Sequence, residues 1–309
     1  NSTLRNQFLY VSTANGESKP VNTGKIRNYG LEFSTAYRWN INRDWRWQTG
    51  FNIAWNDNRI LETYKTESGA PYIVEMGTNA FKIKYIEGGR YGDIYVNSFA
   101  RDENGYIKVN SAGDYENAVP VMESGKYETY VGNTTSPVTL GWNNTFSWKN
   151  FNLYFLIDGR IGGKVMSLTE PDFDLFGLSE RSAHDRLKGE RVTQNGKEYV
   201  LKELPDGSGN KVPVENYYTT IGAYPMEDHV YNATNLRMRD ISLSYNFSNL
   251  LGKNMGLTAQ FSIKNAFFIY KDSPIDPDIS VSAANGYSGI DCYSLPTTRS
   301  YALTLKFNF

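Results

Sequence analysis

Residues 31–57 read LEFSTAYRWNINRDWRWQTGFNIAWND, and the alternation within them decides the fold. Successive side chains of a strand point to opposite faces. On that spacing Leu31, Phe33, Thr35, Tyr37, Trp39 and Ile41 share one face, and Glu32, Ser34, Ala36, Arg38 and Asn40 share the other. Asn42, Arg43 and Asp44 make a short polar turn. Trp45, Trp47, Thr49, Phe51, Ile53 and Trp55 then resume the apolar side against Arg46, Gln48, Gly50, Asn52, Ala54 and Asn56. The stretch is a long hairpin with one apolar and one wet face.

The same period recurs further along the chain. Val138, Leu140, Trp142, Phe146 and Trp148 alternate with Thr139, Gly141, Asn143, Thr145 and Ser147, and Lys149 and Asn150 make the next turn. Phe151, Leu153, Phe155, Ile157 and Ile161 follow against Asn152, Tyr154, Asp158 and Arg160. A third pair runs through Ile241, Leu243, Tyr245 and Phe247, a turn rich in Gly and Asn at 248–256, and Leu257, Ala259, Phe261, Ile263, Phe267 and Ile269. Tyr301, Leu303, Leu305, Phe307 and Phe309 form the last strand, with Thr304, Lys306 and Asn308 behind them. Adding a weaker strand near Leu4 to Val11, the sequence predicts eight.

Composition identifies the solvent. Mean hydropathy is -0.52, and the longest clean apolar runs, such as Leu153 to Ile157, fall far short of the ~20 residues a membrane helix needs. No helical span is expected. Aromatics nevertheless make up 15% of the chain, a high density for one so polar, and Tyr and Trp favour membrane–water interfaces. Transmembrane strands reconcile the two facts, since only alternate residues face lipid.

Charge and chemistry exclude other classes. With 32 Lys and Arg against 33 Asp and Glu, the net charge of -1 removes the pull on polyanions that a general nucleic-acid binder needs. Cys292, the one cysteine, excludes an internal disulfide. Two distant histidines, His184 and His229, leave few places for a His-rich metal site or a Ser-His-Asp pair. The chain begins at Asn1 without an initiator Met or a charged and apolar leader, and is read as mature, trimmed or part of a longer protein.

The connections carry as much information as the strands. Turns on one side are short, whereas those on the other run from about 62 to 136, 168 to 230 and 271 to 297. Most loops in compact domains have only about 4–6 residues, and outer-membrane barrels combine short periplasmic turns with long extracellular loops. Trp39, Trp45, Trp47 and Trp148 all fall beside the short turns, where a periplasmic aromatic girdle belongs. Segments such as 27–41 and 45–57 also exceed the ~5–6 residues usual in soluble strands. The fold expected is all-β: part of an antiparallel transmembrane β-barrel of about eight strands with short periplasmic turns and long extracellular loops.

Five separated segments, in order, resemble the C-terminal part of the barrel of SusC/RagA-family TonB-dependent outer-membrane transporters of Bacteroidota. They are NTGKIRNYGLEF at 22–33, GNTTSPVTLGWNNTFSWKNFNLYFLIDGRIGGKV at 132–165, ATNLRMRDISLSYNF at 233–247, KNAFFIYKDSPIDPDIS at 264–280 and LPTTRSYALTLKFNF at 295–309. The resemblance implies a parent barrel of roughly 22 strands with an N-terminal plug and a TonB-contacting box. Residues 1–309 would then be its C-terminal part, the plug domain and N-terminal strands being absent. It further implies a Gram-negative outer membrane, and import of glycans, oligosaccharides or peptides captured under a SusD-like lipoprotein lid. The plug is displaced by TonB through the missing N-terminal region, and the barrel-assembly machinery inserts the chain into outer-membrane lipid. No enzyme activity, cofactor or nucleic acid is implied.

Specific residues follow. Tyr301, Leu303, Leu305, Phe307 and Phe309 resemble the assembly signal, an alternating apolar strand ending in an aromatic. Polar-face positions Glu32, Arg38, Arg46, Asn52, Asn143, Asp158, Arg160, Gln260 and Lys264 face a lumen on this reading, most of them solvating it. Arg237 and Arg239 stand out, because the apolar phase switches from Leu236 and Met238 to Ile241 and Leu243 across them, and a bulge there would re-aim them near the outer rim. Arg160, Asp158, Arg237 and Arg239 are therefore the substrate-contact candidates.

Other stretches have plainer readings. Asp102-Glu103-Asn104-Gly105 and Asp276-Pro277-Asp278 lack the full calcium-loop pattern and read more simply as turns, with calcium the minor alternative. The 168–230 connection, with Pro171, Phe173, Phe176 and a charged run from Glu180 to Arg191, has room for a short helix, although its amphipathic pattern is weak and a solvated surface is the simpler reading. Tyrosines crowding the outer connections suit a partner surface first and a ligand second, with packing among the loops absorbing at least half. Two rivals remain. A soluble or surface β-sandwich recognising glycans would fold without detergent, and a small outer-membrane hydrolase barrel would have only Asp228-His229 to offer as an acid–base pair.

Overall fold

The structure, a computed structural model, describes residues 2–308 apart from 4–7, 13–17, 23, 67, 124, 222–224, 248–255 and 281–286. For residues before 24, and for 221 and 308, only the backbone course is described. Seven long strands make one antiparallel wall: β1 (Gly24–Asn40), β2 (Trp45–Thr63), β3 (Val138–Trp148), β4 (Phe151–Ile161), β5 (Asn235–Phe247), β6 (Gly256–Lys271) and β7 (Ser300–Asn308). They pair in chain order, and the two-residue strand Ser2–Thr3 completes eight by pairing with β1. Every neighbouring pair is antiparallel and sequential, as a meandering barrel wall requires.

The register turns period two into a surface. Trp39, Trp47, Phe146, Leu153, Leu243, Phe261 and Leu303 are consecutive cross-strand partners, one from each long strand. The row behind them, Arg38, Gln48, Thr145, Tyr154, Ser242, Ser262 and Ala302, is mostly polar. The apolar side stays bare: Leu31 is 74% exposed and Leu303 70%. In water that side would seek a second sheet, and an apolar surface of this extent marks a lipid or protein contact. Among the described residues no helix is long and apolar enough to cross a membrane.

At the short-turn end the aromatic rings form a belt. Trp45 stacks on Trp148 at 5.7 Å, Trp148 on Phe151 at 6.0 Å, and Phe151 meets Tyr245 edge-on at 4.5 Å. Asn42 Oδ1 closes the first turn by accepting from the Asp44 and Trp45 N–H groups at 2.9 Å, and the Lys149 N–H donates to the Asp44 carbonyl at 2.9 Å, tying adjacent turns together. The aromatics expected beside the turns thus lie at one level on the outer face.

A buried amide interrupts that face. Asn144, which the alternation of β3 skips, lies on the apolar side and is 1% exposed. The Trp47 Nε1–H donates to its Oδ1 at 3.0 Å, its Nδ2 has no partner among the described residues, and the opposite residue Thr49 accepts from the Trp142 Nε1–H at 2.9 Å. The indoles cover the polar pair and satisfy their own N–H groups, since an unpaired polar group away from water costs several kcal/mol, about 2–7 by common reference states.

Two expectations are corrected. The weaker strand near Leu4 to Val11 does not join the wall: residues 4–7 lie outside the described residues, and Phe8–Ser12 pairs with Ser18–Asn22 in its own hairpin. The wall instead gains Ser2–Thr3. Nor are the long connections simple solvated loops. They hold a four-stranded sheet (Val74–Gly77, Phe81–Tyr85, Asp93–Val96 and Thr129–Asn133) and a three-stranded sheet (Glu190–Gln194, Lys197–Glu203 and Lys211–Pro213). They also hold helices α1 (Glu170–Leu175), α2 (Glu180–Lys188) and α3 (Val214–Ile221). Ile26, Ile60, Phe81, Ile83, Ile94 and Met166 build one buried core there, and Phe99, Ile107, Val212 and Tyr217 belong to another. Short strands at irregular spacing give little periodicity, which is why the sequence reads as loop.

Candidate functional site

β5 is bulged at Arg239, where its apolar phase changes, and its neighbour β6 carries the unopposed residue Ile269. Its register against β6 shifts between Leu236 and Arg237 and between Met238 and Asp240, and its register against β4 shifts opposite Leu156 and Ile157. Arg239 is the extra residue and has no ladder partner on either side. The predicted bulge is present, and it sends Arg237 and Arg239 together to the wet face.

There they meet the other two candidates and a loop. The Arg239 Nε–H donates to Asp158 Oδ2 at 2.7 Å, and its Nη2 donates to Asp278 Oδ2 at 2.7 Å. Arg237 Nη2 donates to both Asp276 oxygens at 2.9 Å and Nη1 to Asp278 Oδ2 at 3.0 Å. Arg160 Nη2 lies 3.4 Å from Asp278 Oδ1. The Arg237 guanidinium also stacks on Phe268, 3.8 Å from the ring centroid, and the residue is 2% exposed. Three guanidiniums face three carboxylates, so the cluster closes its own charge.

Asp276 is the hinge of this clasp. It accepts from the Thr297 hydroxyl, from the Thr297 N–H at 3.2 Å and from the Asp278 N–H at 3.0 Å. Burial pushes its carboxyl up, but the bonds from Thr297, the Asp278 N–H and Arg237 outweigh this and hold it below the usual carboxylate range. The reading of 276–278 as a turn holds, and its carboxylates are engaged by arginines. Among the described residues no cluster of His, Cys, Asp and Glu has the arrangement to hold a metal ion.

Beside the clasp lies a cavity of about 590 Å³ whose lining includes Phe173, Arg237, Phe268, Lys271, Thr297 and Arg299. It occupies the notch where β6 runs on to Lys271 although its pairing with β7 stops at Lys264 and Ser300. Mixed aromatic and polar walls with two flanking cations suit a polar organic ligand in contact with rings.

A second charged centre ties the loop layer together, and sequence reasoning missed it. Asp174, 1% exposed, accepts from the Ser179 hydroxyl at 2.6 Å and from the Arg181 Nε–H at 3.0 Å, and lies 2.8 Å from His229 Nε2. Burial raises the Asp174 carboxyl, yet the bonds from His229, Arg181 and Ser179 prevail and bring it to about 2. Asp228 and His229 do not act as a pair. Asp228 accepts from the Tyr217 hydroxyl at 2.7 Å, whereas His229 is fully buried against Asp174 and Arg181. Burial, then the Asp228 charge, push the Tyr217 hydroxyl well above its ordinary range.

The remaining candidates are scattered. Tyr301, Leu303, Leu305 and Phe307 project in line from β7 and are exposed, and Phe309 lies outside the described residues. Arg38 Nη2 donates to Gln48 Oε1 at 3.3 Å near the short turns, far along the strand from the clasp. Asn52 and Asn143 pack their amides over Gly141 and Gly50, where a Cβ would come within 2.6 and 2.9 Å of them. Of the loop tyrosines, Tyr85, Tyr217 and Tyr218 are buried, and Tyr64 with Tyr72, Tyr85 with Tyr91 and Tyr95 with Tyr130 form ring pairs, so packing absorbs many of them. Tyr224 lies outside the described residues.

Comparisons place this geometry. No family model matches the chain. It is 24% identical over 318 residues to the TonB-dependent receptor SusC of Bacteroides thetaiotaomicron, covering 99% of this chain and 29% of that protein. It is 22% identical over 319 residues to the TonB-dependent receptor P3 of Formosa agariphila, covering 94% and 30%. Among solved structures it resembles the RagAB peptide transporter with a TM-score of 0.62 at 17% identity, over 94% of this chain and 30% of that one. The RagAB importer in its open-open state gives 0.61 at 17%, over 98% and 31%. The chain therefore spans about three tenths of the length of the relatives it matches. The resemblance read from the residues, to SusC and RagA-type TonB-dependent receptors, is carried by sequence and by fold alike.

Proposed function

We propose, from the premise of this likeness, that the chain is the C-terminal barrel portion of a TonB-dependent importer in a Gram-negative outer membrane. Such an importer takes up glycans, oligosaccharides or peptides together with a SusD-like lipoprotein. The observation that supports it best is the wall: a bare apolar row across seven strands, a wet row behind it, and a folded layer of connections at one end only. Lipid solvates the first face and a water-filled lumen the second.

Within that reading the clasp is a positioning device. Arg237 and Arg239 fasten loop 271–279 to the wall, and Asp158 and Arg160 complete the charge, so the loop holds a fixed wall for the neighbouring cavity. A substrate passing the rim meets that cavity, and the exposed loop surface carries the lipoprotein lid. Tyr301, Leu303, Leu305, Phe307 and Phe309 serve as the strand read by the assembly machinery. TonB acts on a part of the protein outside this chain. Chemistry on the substrate has no place in this scheme.

Uptake decides it. Cells lacking the gene are given labelled oligosaccharides and labelled peptides, and the lipoprotein copurifying with the wild-type protein is identified. The expected result is loss of TonB-dependent uptake of one of the two classes, restored by the intact gene. Unchanged uptake of both, or recovery of the protein in the soluble fraction, contradicts the reading.

A further inference from the structure

The cavity beside the clasp is lined by charges of both signs that the clasp leaves unused. Its two free cations come from the wall. Lys271 ends β6, and Arg299 immediately precedes β7, where the Asn265 Nδ2–H fixes the chain by donating to the Thr298 carbonyl at 3.0 Å. Lys271 Nζ donates to the Pro274 carbonyl at 3.0 Å and lies 5.5 Å from the Phe268 ring centroid. Arg299 is exposed and makes no hydrogen bond or ion pair with any described residue. Among the described residues, then, no carboxylate answers either cation. Arg237 differs, being 2% exposed and engaged by Asp276 and Asp278.

Two carboxylates come from the loop layer. Glu170 opens α1, and Asp291 lies in the short strand Ile290–Asp291, parallel to Lys164–Ser167. Ser167 joins them: its hydroxyl donates to Asp291 Oδ2 at 2.9 Å and accepts from the Glu170 N–H at 3.1 Å. The Glu170 carboxylate accepts from the Tyr231 hydroxyl, and Asp291 Oδ1 from the Ser294 N–H at 3.3 Å. Every one of these donors is neutral. Phe173, on the helix of Glu170, and Phe268, on the strand of Lys271, add a ring from each layer.

The charges select among ligands. A neutral glycan offers hydroxyls and leaves all four groups without a counter-charge. An acidic glycan answers Lys271 and Arg299 but sets its own charge against Glu170 and Asp291, and such like-charge contacts are how a site rejects a ligand. A molecule bearing both an ammonium and a carboxylate answers both signs at once. The volume of about 590 Å³ is within the range of about 300–1,000 Å³ usual for organic ligands.

We propose that this cavity binds a short zwitterionic peptide, its carboxylate held by Lys271 and Arg299 and its ammonium by Glu170 and Asp291, with side chains against Phe173 and Phe268. A guanidinium fork matches a carboxylate in pairs, and charge-assisted hydrogen bonds are the strong ones. The proposal rests on the importer reading and narrows its substrate to the peptide class.

The test is calorimetric titration of the full-length protein in detergent. The probes are the tripeptide Gly-Phe-Gly with free ends, its N-acetylated, C-amidated and doubly blocked forms, and maltotriose. Wild type is expected to bind the free tripeptide about tenfold more tightly than either singly blocked form, the size of one charge-assisted hydrogen bond. Lys271→Gln/Arg299→Gln should lose the preference for a free carboxylate and keep that for a free amine, and Glu170→Gln should do the reverse. Misfolding would not produce that crossed pattern. Equal affinity for the free and doubly blocked tripeptides, tighter binding of maltotriose, no binding of any probe, or loss of both preferences in one variant overturns the proposal. Heat-modifiable migration of the same sample separates the two levels. A heat-modifiable protein indifferent to the peptide ends removes only this ligand, whereas a protein that is soluble without detergent and not heat-modifiable removes the importer reading beneath it.

Discussion

Arg237 Nη2 donates to both carboxylate oxygens of Asp276 at 2.9 Å, joining the bulged wall strand to the loop that follows its neighbour. The pair is almost sealed, with side-chain exposures of 2% and 7%. Taking charges out of water is costly, so such a pair is poor evidence for stability but is costly to break from one side.

Asp276→Asn leaves Arg237 short of one charge while Asp278 still holds it. Losing one partner of a buried pair costs about 3 kcal/mol, and here the loss falls on the loop. Limited proteolysis of the folded protein should cut within 271–279 at least tenfold faster, with heat-modifiable migration unchanged. Equal resistance to protease would show that the clasp does not hold the loop.

The two faces of β7 differ in what they tolerate. A lysine on the lipid side of a barrel strand costs about 2–4 kcal/mol near mid-depth, whereas wet-face changes are nearly free. Leu303→Lys should therefore lower the yield of folded, heat-modifiable protein severely, and the adjacent Thr304→Lys should not. Similar yields for both would contradict the assignment of faces.

Asn144 and Trp47 form a coupled pair on the apolar side. Asn144→Leu strands the Trp47 N–H but also removes the unpartnered Asn144 Nδ2, so it should cost about 1 kcal/mol, the low end of an unsatisfied donor's penalty. Adding Trp47→Phe removes the stranded group and should recover most of the loss. Denaturant unfolding in lipid, run as a double-mutant cycle, measures the coupling, and additive losses would exclude it.

Asp174 makes the loop layer acid-sensitive in a defined window. Its carboxyl titrates at about 2 in the fold, against an ordinary 3.8. A lowered folded value contributes stability above the unfolded value and loses it as pH falls toward the folded one. The gain is about 2 kcal/mol at neutral pH, and it fades between about pH 4 and pH 2. Asp174→Asn should weaken the loop layer at pH 7 and flatten its response in that window, read by near-UV circular dichroism. A response as steep as wild type would assign the acid sensitivity to other groups.

The wall was legible because lipid and water impose one rule on every strand. Leu31 to Ile41 and Trp45 to Trp55 alternate on either side of one short turn, and the register copies that alternation across the sheet. The bulge was legible for the same reason, since a phase change between Met238 and Ile241 has few other causes. The partners of Arg237 and Arg239 went unread: Asp276 and Asp278 lie in a loop 39 residues on and read only as a turn, and the matching spacing of two arginines and two aspartates is the one signal that could have found them. The loop layer was opaque because its core draws single residues from distant short strands, such as Phe81, Met166 and Ile290. The Asp174, Arg181 and His229 centre has no periodic signal at all, as its members come from three separate elements.

The most direct measurement is cysteine accessibility along residues 31–41 of the full-length protein in native outer membranes, each cysteine placed singly in a Cys292→Ser background. Odd positions are expected to react with a lipid-soluble maleimide and not with a membrane-impermeant one, and even positions to show the reverse where the lumen admits the reagent. Loss of that two-residue alternation, with odd positions as reactive in water as even ones, would contradict a wall between lipid and lumen.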